Sequence, residues 1–181
     1  MNIVFKKFID LEKNEHISLL KIRNSPKVRL NTKSKKIIDL QNHLLWLNKI
    51  KTDNSNQYFA IFYNDIVVGS MSILSINQNK KECSWGLYFK ENINPILSSL
   101  CTYILIDKIF NEMNIQRLTL EVEKINTQAY KFDLSFGFEV YDTINNYFHM
   151  DMTKEKWNKN KDIGYMKLLE KKVNKIQYKF I

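Results

Sequence analysis

His43 stands three residues ahead of Trp46, within one predicted helix. An imidazole changes charge near neutrality and can take a proton from a substrate. An indole offers a flat surface on which a ring can lie, and Tyr88 offers a second. A histidine on a helix is also an ordinary core or surface residue, so His43 is a candidate through its company. Arg23 closes the preceding helix, where it either caps that helix or presents its guanidinium to a ligand. Asn126 precedes a short helix that it can cap. The two cysteines, Cys83 and Cys101, lie in apolar runs, without a CxxC or a His/Cys cluster. Neither a metal site nor a stapled secreted fold is expected from them.

These groups need elements to position them. Ile3 to Ile9 reads as a strand and Asn14 to Arg23 as a helix that Asn24-Ser25-Pro26 terminates. A basic loop runs from Lys27 to Lys36, and Asp39 caps a helix over Leu40 to Lys51. Tyr58–Phe62, Ile66–Ile76 and Glu82–Phe89 form an antiparallel meander. Pro95 opens a helix that reaches Met113. Arg117–Glu123 is a strand, Thr127–Ser135 a helix with Gly137 as its C-cap, and Phe138–Asp142 and Tyr147–Met152 a last pair of strands. From Lys154 onward the pattern is that of one basic amphipathic helix, with Met166, Leu169, Val173 and Ile176 at helical spacing. The fold class is α/β (α+β), with one domain over residues 1–152 and a helical tail over 153–181.

The net charge is +9, of which the tail supplies +6 through nine lysines against Glu155, Asp162 and Glu170. A solvated lysine-rich face is the preferred reading of that tail over a nucleic-acid or lipid partner. The longest apolar stretch, Ile96 to Phe110, is too short and too polar to span a bilayer. The N-terminus lacks an apolar signal core, so a soluble, cytoplasmic protein is expected.

The order of elements, with Asn126-x-x-Ala129 and Phe136-Gly137-Phe138 behind a strand, resembles the Gcn5-related N-acetyltransferases (GNAT). Arg23-Asn24-Ser25-Pro26, His43-x-x-Trp46, Trp85-Gly86-Leu87-Tyr88 and Leu120-Glu121-Val122 look, within that family, like the enzymes that acetylate UDP-linked amino sugars for pseudaminic acid. The resemblance covers roughly residues 10–150. It implies a mixed, largely antiparallel seven-stranded sheet flanked by four helices. It also implies acetyl-CoA as cosubstrate, lying where the fourth and fifth strands splay, and no metal.

By the same resemblance, backbone N–H groups near Leu87 and Tyr88 hold the pantetheine arm and polarise the thioester. The pyrophosphate meets the helix start near Ser98 and Ser99, and Asn126 bonds the arm or only caps its helix. Relatives carry glycines at that helix start, whereas this chain has none between Gly86 and Gly137. They also carry a tyrosine, the acid for the leaving thiolate, where Asp133 stands here. Asp133 then serves as that acid or is a solvated helix residue, and Tyr130 is its substitute one turn earlier. On the acceptor side, Glu121 is the favoured base and His43 the second. Arg23, Trp46 and Tyr88 shape the acceptor pocket. The expected reaction is direct acetyl transfer in a ternary complex to the amine of a nucleotide-linked sugar. Protein N-terminal or polyamine acetylation is the alternative, as is a degenerate domain kept as a binding module. The sequence leaves a homodimer open.

Overall fold

The computed structural model describes every residue from Met1 to Ile181. The chain forms two compact units: residues 1–74, 86–98 and 176–181 make the first, and 75–85 and 99–175 the second. The fold is mixed α/β. It has eight strands, in the hydrogen-bonded order β6-β7-β5-β4-β3-β2-β1-β8, and seven α-helices. Two strands, β3 (Ile66–Asn77) and β4 (Glu82–Phe89), run through both units.

In the first unit, β1 (Asn2–Lys7) lies antiparallel to β2 (Gln57–Tyr63), and β2 antiparallel to β3. A single 3-10 turn over Phe8–Asp10 leads from β1 to α1 (Lys13–Asn24). A capping box starts α1: Glu12 and Glu15 each accept the other's backbone N–H, satisfying two donors the first turn leaves free. Pro26 at the first position of a short helix, α2 (Pro26–Arg29), has no N–H to lose there. Asp39 accepts from the Asn42 N–H and caps α3 (Leu40–Ile50), as the sequence predicts. Phe8, Leu19, Leu47, Ala60 and Phe62 form the apolar centre, with Trp46, Tyr58 and Tyr88 packed against it.

α4 (Pro95–Asp107), whose first turn belongs to the first unit, continues in the second unit into a π-helical turn over Lys108–Glu112 before β5 (Arg117–Glu123). The long helix expected to reach Met113 is therefore interrupted. Asn126 accepts from the Ala129 N–H and caps α5 (Thr127–Phe136), and Gly137 closes it at φ +96, a left-handed conformation that favours glycine. β6 (Glu139–Ile144) and β7 (Tyr147–Thr153) are antiparallel, and β7 pairs along all of β5.

The sheet thus has eight strands where seven were expected, and more than four helices flank it. The tail accounts for the extra strand and part of the extra helices. In place of one helix it forms α6 (Lys154–Asn160), α7 (Gly164–Val173) and β8 (Gln177–Phe180), which lies parallel to β1. Residues 161–163 separate α6 from α7, whose first residue, Gly164, takes φ +51, a break that helical periodicity alone did not register. Trp157 of α6 is fully buried against Tyr103, ring centres 4.9 Å apart, and its Nε1–H donates to Asp107 Oδ1 at 3.2 Å. Trp157→Ala is expected to cost about 3–5 kcal/mol, read as a fall in thermal midpoint.

Candidate active site

A cavity of about 300 Å³ opens within the first unit. Its walls follow from the elements just described. Leu19, Leu20 and Arg23 enter from α1, and Asn42, His43 and Trp46 from α3. Tyr58 comes from β2, Ser70 and Ser72 from β3 and Tyr88 from β4, with Phe8 and Ile38 completing the lining. Ser70 and Ser72 share a face because strand side chains alternate. No carboxylate lines the cavity.

The structure brings Arg23, His43, Trp46 and Tyr88 to this one cavity. The Arg23 guanidinium donates from Nη2 to the Ser34 carbonyl at 3.0 Å, while Nη1 is buried with no hydrogen-bond partner. Trp46 and Tyr58 meet edge to face at 4.8 Å, and the His43 ring lies 5.6 Å from the indole. Burial pushes the Tyr88 phenol up to about 12, against a hydrogen bond with Ser70 and the nearby Arg23 charge. Tyr88 is therefore neutral at neutral pH and available as a donor. Burial, and then the neighbouring His16, hold His43 down to about 4. His43 is neutral, and so a lone-pair donor, throughout the neutral range.

Glu121 is not part of this lining. It sits exposed on β5, opposite His149 of β7, with 4.0 Å between Oε1 and Nδ1. Tyr130 packs its ring on Phe148, centres 4.7 Å apart. Asp133, read either as an acid or as a solvated residue, is buried. Burial alone raises its carboxyl from 3.8 to about 8. At neutral pH it carries its proton, which meets the requirement for a donor to a developing anion.

On the expected cosubstrate side, the parallel ladder between β4 and β5 has three pairs, Glu82–Arg117, Cys83–Leu118 and Ser84–Thr119, and ends there. Leu87 and Tyr88, half-buried, lie beyond its end. A Cβ on Gly86 would come within 3.1 Å of Ser72 Oγ. The start of α4 is less open than expected. Asn94 Oδ1 accepts from the Ile96 N–H at 2.9 Å, the Asn94 carbonyl accepts from Leu97 and Ser98, and the Ser98 hydroxyl donates to Pro95 O. Ser99 is buried. A phosphate at this helix start has to displace the Asn94 side chain.

The sequence reading missed His16, Phe8, Tyr58, Ser70 and Ser72. Two small polar residues at alternate positions of an otherwise apolar strand were the available signal for the serines. For His16 there was none, because its partner lies on a different helix.

The acetyltransferase (GNAT) domain family matches residues 10–158 of the chain. Acetyltransferase PseH of Campylobacter jejuni is 30% identical over 148 residues, which cover 82% of this chain and 92% of that protein. The crystal structure of Campylobacter jejuni N-acetyltransferase PseH in complex with acetyl coenzyme A is similar with a TM-score of 0.69 and 26% identity, over 83% of this chain and 98% of that one. FdhC, described as a nucleotide-linked sugar GNAT, gives 0.71 and 21% over 84% and 88%. The Vibrio cholerae spermidine N-acetyltransferase in complex with CoA and spermine gives 0.75 and 15% over 86% and 98%. At these last two identities the likeness is one of fold. No helix is long and apolar enough to cross a membrane.

Proposed function

We propose, from the fact that this chain belongs to the GNAT acetyltransferase family and is an N-acetyltransferase, that it uses acetyl-CoA and that its acceptor is the amino group of a nucleotide-linked sugar. The observation that carries this reading is the charge of the acceptor cavity. Arg23 brings the one permanent positive charge, with a buried N–H still to be bonded, and no carboxylate faces it. A buried unpaired guanidinium N–H is costly and calls for an oxygen acceptor on the ligand. A hydroxyl-, carbonyl- or phosphate-bearing sugar nucleotide supplies one. A polyamine supplies only cations, which this cavity repels.

In the proposed reaction the acceptor ring lies between the aromatic walls of Trp46, Tyr58 and Tyr88. His43 takes the proton as the amine attacks the thioester carbonyl, whose developing oxyanion is met by backbone N–H groups near Leu87 and Tyr88. The carbon–sulfur bond breaks, and Asp133, protonated at neutral pH, gives its proton to the leaving thiolate. Tyr130, held on Phe148, is the second candidate for that step. Leu87, Tyr88, Ser98, Ser99 and Asn126 are the proposed cosubstrate contacts. Glu121 is kept as a more distant carboxylate, acting through water.

Acetyl-CoA at a hundred times its dissociation constant is expected to stabilise the chain by about 2.7 kcal/mol, read as a rise in thermal midpoint. Thiol release is then compared for UDP-4-amino-4,6-dideoxy sugar, spermidine and a peptide N-terminus. The sugar nucleotide is expected to be turned over and spermidine not. Preferred turnover of spermidine sinks the reading.

A further inference from the structure

We propose that His16 is the positioning residue of His43. It fixes the tautomer in which His43 Nδ1 carries the free lone pair, and it receives the proton that His43 takes from the acceptor amine. This rests on the reading of His43 as the base.

The two rings meet across the α1–α3 contact, His16 Nδ1 to His43 Nε2 at 3.0 Å, and both side chains are buried. A neutral imidazole has one N–H and one lone pair, so this contact holds a single proton between the two nitrogens. If His16 donated it, His43 would carry its remaining hydrogen on Nδ1 and offer the acceptor no lone pair. If His43 Nε2 donates it, Nδ1 is bare, and it is the nitrogen His16 leaves free for the cavity that His43 lines. Only the second arrangement makes His43 a base.

The charges around the pair then give the proton a direction. His16 faces Glu15 on its own helix and Lys6 on β1, which are bonded to each other at 2.8 and 3.1 Å. His43 faces His16, and shares its cavity with Arg23 of α1, Tyr58 of β2 and Tyr88 of β4. A carboxylate thus stands by His16, whereas the permanent charge in the cavity beside His43 is Arg23. Burial holds both rings below the ordinary histidine range, and the Glu15 carboxylate works against it at His16. His43 alone is a weak base. It becomes an effective one when the charge moves on.

The step balances as a double transfer. The acceptor N–H breaks and His43 Nδ1–H forms, while His43 Nε2–H breaks and His16 Nδ1–H forms. His43 ends neutral and His16 ends as the imidazolium. Two positive rings at this distance repel, so the pair takes up one proton, not two.

The chain has three histidines, so the full-length protein labelled with ¹⁵N-histidine gives resolvable ring correlations. At about pH 8 His43 is expected with Nε2 protonated and Nδ1 bare, and on acidification one proton enters the pair and resides on His16. His43 found with its hydrogen on Nδ1 overturns the proposal without any assay of turnover. Kinetics use acetyl-CoA and UDP-4-amino-4,6-dideoxy sugar. His16→Asn keeps an acceptor where Nδ1 stood but cannot take a proton, and His16→Phe keeps only a ring. Both are expected to lower kcat by about 10–100-fold with KM held, and to move the acid limb of the pH profile. Parent-like kinetics in a folded His16→Phe, beside a slow His43→Gln, removes the relay alone. A His43→Gln enzyme as fast as the parent removes the base, and the relay with it.

Discussion

His43→Gln is expected to lower kcat by about 10²–10⁴-fold with a much smaller change in KM, because general-base help acts in the transition state. The glutamine keeps the side chain's size and a hydrogen bond but cannot accept the acceptor's proton. The pH dependence carries the signature. Burial holds His43 near 4 and lowers His16 as well, so the basic form of His43 is present across the neutral range and is lost below the ordinary histidine range, where the pair takes up its one proton. The parent enzyme should hold its kcat below the range in which an ordinary histidine titrates, and His43→Gln should lack that acid limb. Glu121→Gln is expected to cost about tenfold or less, because Glu121 is exposed on β5 and outside the cavity lining. A reversed ranking of these two variants would return the base to Glu121.

Asp133→Asn is expected to make the chain more stable and the enzyme slower. Burial raises the Asp133 carboxyl to about 8 from an unfolded value of 3.8, so folding favours its protonated form. The sign follows from linkage. Stability from this group is fully present below about pH 4 and is lost as pH rises through about 8. Asparagine removes that loss while keeping the shape. At pH 8 the gain should be of the order of a few kcal/mol, and near pH 4 it should vanish. A thermal midpoint followed from pH 4 to about 9 checks it, with parent and variant converging at the acid end. The same substitution takes away the proton that the proposed mechanism gives to the thiolate, so kcat should fall by about 10²-fold. The two histidines titrate with the opposite sign. Both are lowered, His43 to about 4, so they contribute stability that is present above about 6.5 and lost as pH falls below the ordinary histidine range, and Asp133→Asn should leave that acid limb of the stability curve in place.

Local chemistry carried much of the fold in the sequence. Asp39, Pro95, Asn126 and Gly137 each mark a helix end by a mechanism that involves only neighbouring residues, and each stands where its chemistry puts it. What stayed hidden depends on partners far along the chain. β8 is four residues whose only reason to be a strand is β1, which precedes it by more than a hundred and seventy positions. The π-helical turn after Asp107 has no composition of its own. In the site, resemblance placed Arg23, His43, Trp46 and Tyr88 on one list, and one cavity holds them. The partner of His43 was illegible because His16 reads as one more position on an amphipathic helix. The protonation of Asp133 was illegible for a related reason, since its environment is set by burial.

Both margins of the sheet resist the addition of a stray strand. At one end β8 is short, with Lys179 in its middle, and the charge discourages another chain from docking there. At the other, β6 is interrupted by a bulge at Tyr141, whose ring lies 4.7 Å from the Arg117 guanidinium. A concentrated preparation should therefore stay free of edge-to-edge fibrillar growth, and straightening that bulge by deleting Tyr141 would be the shortest route to provoking it.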